Sequence, residues 1–164
     1  MQGQAPRLLK SFYLRAPDFR SSVADIVHSV QVSAHPEIIY PLVSTAGGMA
    51  QWWAADVSQL EGCIELAFFK RNTIYRLKPQ VQQPPDRTEW LCETGQEWAG
   101  TRLLFWLEPA GRATLLRFTH AGWQAQTDYF VSCTTVWGEL MFRLKAAAEG
   151  KPRGPLFLAD SLAY

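Results

Sequence analysis

Residues 128–149 read DYFVSCTTVWGELMFRLKAAAE, a stretch with no proline and a single glycine, Gly138. Phe130, Cys133, Trp137, Leu140, Met141, Leu144 and Ala148 recur at helical spacing, so one apolar stripe runs the length of the segment. Thr127 or Asp128 can cap its start, and Gly150 followed by Lys151-Pro152 ends it. At about 1.5 Å per residue such a helix is about 33 Å long, enough to cross a whole sheet.

Working outward, five segments upstream alternate like strands: 62–69 (GCIELAFF), 73–82 (TIYRLKPQVQ), 87–94 (RTEWLCET), 100–108 (GTRLLFWLE) and 113–120 (ATLLRFTH). Turn chemistry separates them, in Arg71-Asn72, Pro84-Pro85-Asp86, Gly95 with Gly100, and Pro109-Ala110-Gly111. Connections this short predict antiparallel neighbours. Farther upstream, 26–34 (IVHSVQVSA) alternates as a first strand. His35-Pro36 opens a short helix, and a second short helix carries Met49, Trp52 and Trp53. Residues 53–61 add one more edge strand. The expected architecture is α+β: a curved antiparallel sheet of six to seven strands wrapped around a long C-terminal helix, with two short helices after strand one.

The chain of 164 residues divides into an N-terminal arm or leader (1–24), one domain (25–150) and a C-terminal tail (151–164). Residues 1–24 set Arg7, Lys10, Arg15 and Arg20 against Asp18 alone, with Phe12, Tyr13, Leu14 and Phe19 interspersed. Formal charge is only +1, and no Lys/Arg run interrupts the domain, so the footprint of a nucleic-acid binder is missing. No apolar stretch approaches the roughly 20 residues of a membrane span, and the N-terminus lacks the apolar core of a secretory signal. A cytoplasmic location is expected. Cys63, Cys92 and Cys133 are odd in number and lie in apolar segments, as reduced core thiols do. Aromatic residues make 13% of the chain, enough bulk to line a cavity or an interface.

Side chains two apart share a face of a sheet, which assigns the faces. Charged Glu65, Arg76, Lys78, Glu89, Glu93, Arg102 and Arg117 point outward, so Ile64, Leu66, Phe68, Tyr75, Leu77, Trp90, Cys92, Leu103, Phe105, Leu107, Leu116, Phe118 and His120 point inward. The inner face is thus aromatic with a few polar tips, which is the composition of a ligand pocket. Tyr75, Trp90, Phe105, Phe118, His120, Trp137 and Met141 are the expected pocket residues. Leu104, Trp106 and Leu115 share the outer face and need a cover, either the N-terminal arm or a second copy in a homodimer.

The order strand, two short helices, about six strands, long helix resembles the START-like, or SRPBCC, superfamily, whose fold is the helix grip. More narrowly, it is similar to the branch related to the C-terminal domain of the activator of the heat-shock-protein-90 ATPase. The matching features are Val32 to Pro36 at the end of the first strand, Trp52-Trp53, Trp98-x-Gly100-Thr101, Thr114 to His120 followed by Gly122-Trp123, and Trp137 in the long helix. The resemblance spans residues 26–150. It implies a helix-grip fold and a range of roles: lipid and hormone carriers, aromatase/cyclases and a co-chaperone.

No convergent catalytic set stands out: there is no phosphate-binding loop, no Gly-x-Ser-x-Gly turn and no metal-spaced His/Glu pair. The acid–base candidates are His120 and Tyr75. Pairing of first and last strands would bring His28 near His120, but a third metal ligand is not evident, so neither metal nor cofactor is expected. Asp128 and Tyr129 stand where a pocket mouth would be, although a helix cap accounts for Asp128. The expected function is binding of a small apolar or aromatic ligand, lipid-like or polyketide-like, between sheet and helix. The alternatives are a cyclase- or hydrolase-type enzyme using the same pocket and a protein-binding, co-chaperone-like module.

Overall fold

The computed structural model describes residues 24–160. The N-terminal arm, residues 1–23, and the last four residues of the tail lie outside them. The chain runs β1 (Ala24–Val32), α1 (Pro36–Ser44), α2 (Ala46–Met49), β2 (Asp56–Leu60), β3 (Cys63–Phe68), β4 (Thr73–Gln83), β5 (Arg87–Cys92), β6 (Arg102–Ala110), β7 (Ala113–Trp123) and α3 (Asp128–Ala148). Seven antiparallel strands form one open sheet in the order β1-β7-β6-β5-β4-β3-β2. This explains the two short helices. β1 and β2 occupy opposite edges, so α1 and α2 carry the chain across, and the hairpins then return it strand by strand to β7 beside β1.

Local chemistry sets the elements. Pro36 occupies the first turn of α1, and Thr45 caps α2 by accepting from Gly48 N–H. Gly48 is where α2 meets α1, since a Cβ there would lie 2.0 Å from the Pro41 carbonyl oxygen. Thr127 caps α3 by accepting from Phe130 N–H at 3.1 Å. The stripe Phe130, Cys133, Trp137, Leu140, Met141, Leu144 and Ala148 is buried against the sheet.

Two expectations need correction. Trp52 and Trp53 do not ride on the second helix; they follow it in a turn, both fully buried. β7 continues to Trp123, beyond His120. Glu89 points to the outer face yet is only 8% exposed, because Arg102 covers it at 2.9 Å and Arg87 stands at 3.9 Å. The alternation fixed its direction; charge pairing across strands decided its burial.

On the outer face, Leu104, Trp106 and Leu115 sit in adjacent rows, each flanked by a charged neighbour. Trp106 lies between Arg87 and Arg117, Leu104 beside Glu89, and Leu115 beside Glu108. The Arg87 guanidinium covers the Trp106 ring at 4.5 Å, leaving that residue 41% exposed. All three cysteines are buried thiols. Among the described residues, no helix is long and apolar enough to cross a membrane.

Candidate functional site

A cavity of about 240 Å³ lies between the amino-terminal half of α3 and strands β3 and β4. α3 packs closest on β1 and α1, so its other flank stands off from the far side of the curved sheet. Tyr129, Ser132, Cys133, Val136, Trp137 and Leu140 form that flank; Phe68, Phe69, Thr73 and Tyr75 face them from the β3–β4 hairpin. Trp53 and Trp98 complete the lining together with Phe157 from the tail.

Phe157 arrives through an unexpected backbone arrangement. Ala54 and Phe157 form a parallel bridge, with Leu156 N–H donating to Trp52 O, Phe157 N–H to Trp53 O, and Ala55 N–H to Phe157 O. Arg143 on α3 gathers the preceding loop by donating to the Gly154 carbonyl at 3.0 Å. The Phe157 ring meets Phe68 edge-on at 5.0 Å. The tail is therefore a wall of the cavity.

Of the seven residues expected around a pocket, the structure brings Tyr75 and Trp137 to the lining. Trp90, Phe105, Phe118, His120 and Met141 lie buried in the core outside it. Trp90 donates its indole N–H to Val43 O at 3.1 Å, tying β5 to α1. Phe105 and Phe118 pack together under Trp137.

His120 is fully buried, and both of its ring nitrogens are engaged. Trp137 Nε1–H donates to Nδ1 at 3.1 Å, which makes Nδ1 the acceptor and assigns the proton to Nε2. Nε2–H then donates to Thr101 Oγ1 at 2.8 Å, and the Thr101 hydroxyl donates in turn to Trp98 O at 2.6 Å. Burial lowers the His120 pKa to about 3, so the imidazole is neutral at physiological pH. Register also separates the two histidines considered as a metal pair: β1 sets Ile26, not His28, opposite His120. Among the described residues, no three His, Cys, Asp or Glu side chains converge as a metal site.

The cavity's polar groups are neutral as well. Tyr75 and Tyr129 share a hydroxyl–hydroxyl hydrogen bond of 2.5 Å that spans from β4 to α3. Burial raises the pKa of both phenols, and for Tyr129 the Tyr75 hydroxyl adds to the rise. Burial pushes the Cys133 thiol up too, which keeps it protonated and a poor nucleophile. Trp98 stacks on Tyr75 at 4.3 Å, and its Nε1–H, although buried, has no oxygen or nitrogen partner, only the Cys133 sulfur.

Sequence reasoning placed Phe68 and Tyr75 on the inner face but missed the lining roles of Trp53, Trp98 and Phe157. The helix carried a usable signal: 129, 132 and 136 form a second helical stripe beside the buried one. For Trp98 and Phe157, no periodic element contains the residue, so alternation could not assign them a direction.

The architecture has solved counterparts. The Aha1 dimer from Colwellia psychrerythraea superposes with a TM-score of 0.70 at 29% identity, over 78% of this chain and 98% of that one. CalU16 from Micromonospora echinospora gives a TM-score of 0.65 at 15% identity, over 82% of this chain and 70% of that one. DynU16, a protein of the dynemicin biosynthetic locus, gives 0.63 at 18% identity, over 79% of this chain and 49% of that one. No family model and no curated protein matches the sequence. With its open seven-stranded sheet gripping one long helix, the chain has the helix-grip fold and resembles proteins of the START-like, or SRPBCC, superfamily. Within that class it resembles Aha1, the activator of the Hsp90 ATPase.

Proposed function

We propose that this protein binds a small apolar or aromatic molecule in the cavity between β3, β4 and α3. The observation that carries the reading is a space of about 240 Å³ walled by Trp53, Phe68, Trp98, Trp137, Leu140 and Phe157. A dry apolar cavity of roughly 150 Å³ takes up benzene, so this one suits a compound of about one to two rings. Burying roughly 250 Å² of such a ligand is worth about 6 kcal/mol before immobilisation costs. Binding is favoured over cyclase- or hydrolase-type turnover because His120 is committed on both nitrogens and the phenols and thiol at the cavity are neutral.

Native mass spectrometry of protein purified from its own host, followed by denaturing extraction, tests this. A stoichiometric apolar compound is expected, and Val136→Trp, which puts an indole into the cavity, should lose it. An empty wild-type protein that also fails to quench its tryptophans with naphthalene would overturn the reading.

The likeness to the Aha1 dimer favours a second reading, a protein-binding module that pairs with its own copy. We infer that such a homodimer would form across Leu104, Trp106 and Leu115, the apolar rows of the outer face. Trp106→Glu should then shift sedimentation from dimer to monomer while leaving naphthalene binding unchanged. A wild-type monomer at high concentration would refute it.

A further inference from the structure

A second, more open groove adjoins the cavity. It is lined in part by Asn72, Thr73, Gly95, Gln96 and Glu97, and it shares Phe69, Thr73, Tyr75 and Tyr129 with the cavity. The two spaces therefore meet at the Tyr75–Tyr129 hydroxyl bridge. We propose that they form one site for an amphipathic ligand: an aromatic body with an oxygen acceptor inside, and an uncharged or cationic polar end in the groove, carboxylates being rejected. This deepens the ligand-binding reading and rests on it.

Two observations carry the chemistry. Inside, Trp98 is 5% exposed and its Nε1–H has no oxygen or nitrogen acceptor, only the weakly accepting Cys133 sulfur. Trp123 Nε1 and His28 Nε2 are unpartnered, but only Trp98 borders the cavity. A buried donor without a strong acceptor costs up to about 1–3 kcal/mol, part of which a ligand carbonyl or ether oxygen would recover. Outside, the groove lining is half polar, and among the described residues its one charged side chain is Glu97.

Glu97 is held in place, because Thr127 Oγ1–H donates to its Oε2 at 2.6 Å. No Lys, Arg or His side chain is among the residues lining the groove. Arg71 directs its guanidinium to both Asp56 oxygens at 2.8 Å. The amino end of α3, which would attract an anion, is capped by Thr127 and carries Asp128 in its first turn. An anionic end would thus meet a carboxylate with no cation in the groove lining to answer it, while an ammonium or hydroxyl would find acceptors.

A matched probe set tests this on the wild-type protein: naphthalene, naphthylmethanol, naphthylmethylammonium and naphthylacetate, titrated by tryptophan quenching. The alcohol and the ammonium should bind at least about tenfold more tightly than the acetate, as one unscreened charge contact warrants. Glu97→Gln, which keeps an acceptor for Thr127, should bring acetate within about threefold of the ammonium. Raising salt on the wild type should shrink the same preference, a second measurement that does not depend on a variant folding. Acetate binding as tightly as the ammonium, or a preference that survives both Glu97→Gln and high salt, would overturn the proposal while leaving the cavity reading intact. Failure of all four probes, naphthalene included, would instead remove the cavity reading and this inference with it.

Discussion

His120 should make this protein acid-sensitive well above the range in which carboxylates titrate. Folding holds the imidazole neutral, with a pKa of about 3, whereas the unfolded chain returns it to about 6.5. Between those values the unfolded state binds one more proton, so stability rises with pH; it is fully present above about 6.5 and is lost as pH falls. The slope is about 1.4 kcal/mol per pH unit, which amounts to about 2 kcal/mol between pH 8 and pH 5. No charged partner offsets it, since the ring contacts Thr101, Trp98, Trp123 and Trp137. Urea unfolding at pH 8, 7, 6 and 5 measures the effect, with His120→Gln as the reference. The variant should lose about 1–3 kcal/mol at pH 8 from the disrupted bonds, yet show less pH dependence by the His120 share. Parallel wild-type and variant curves would refute the reasoning, as would nitrogen chemical shifts showing that His120 titrates above pH 5.

Three further outcomes follow from particular atoms. In Gly95→Ala the new Cβ would lie 2.5 Å from the Tyr75 ring at a backbone φ of +113°, so a loss of about 1–3 kcal/mol in urea unfolding and weaker naphthalene binding are expected. Tyr129→Phe removes the hydroxyl bridge between β4 and α3; it should cost about 0.5–1.5 kcal/mol and speed naphthalene association in stopped-flow fluorescence. Gly138→Ala should raise the unfolding free energy by about 0.5–1 kcal/mol, because the nearest atom to its Cβ, His28 Cε1, is 3.8 Å away and a mid-helix glycine is entropically costly.

Much of the fold was legible because its elements are periodic. Alternation placed Leu66, Tyr75, Trp90, Phe105 and Phe118 on the inner face, and the spacing of Phe130 to Ala148 marked the one long helix. Trp52 and Trp53 were harder, since a turn has no period to read; their burial follows from tertiary anchors such as Trp52 Nε1–H on Leu42 O. The site was less legible still. Inward direction does not separate a residue packed under another ring, such as Phe105, from one facing empty space, such as Phe68. That difference depends on where α3 leans across the sheet and on where the tail returns. His120 shows the same limit, because its polarity suggested a pocket while Thr101 and Trp137 were free to satisfy it in the core.

The cavity persists because its aromatic walls are tethered by polar bonds at their backs. Trp137 cannot rotate into the space without giving up Nδ1 of His120, which would leave a buried donor and a buried acceptor unpaired at about 1–3 kcal/mol each. Trp53 is stacked on Trp52, whose N–H is fastened to α1 through Leu42 O. Phe157 is positioned by backbone bonds to Trp53 and Ala55, on either side of Ala54, and Tyr75 is clamped between the Trp98 ring and the Tyr129 hydroxyl. Collapse would fill about 240 Å³ with apolar contact but would break several of these bonds together. A ligand gains that same contact while every tether stays intact, which is the energetic sense in which the site is preorganised.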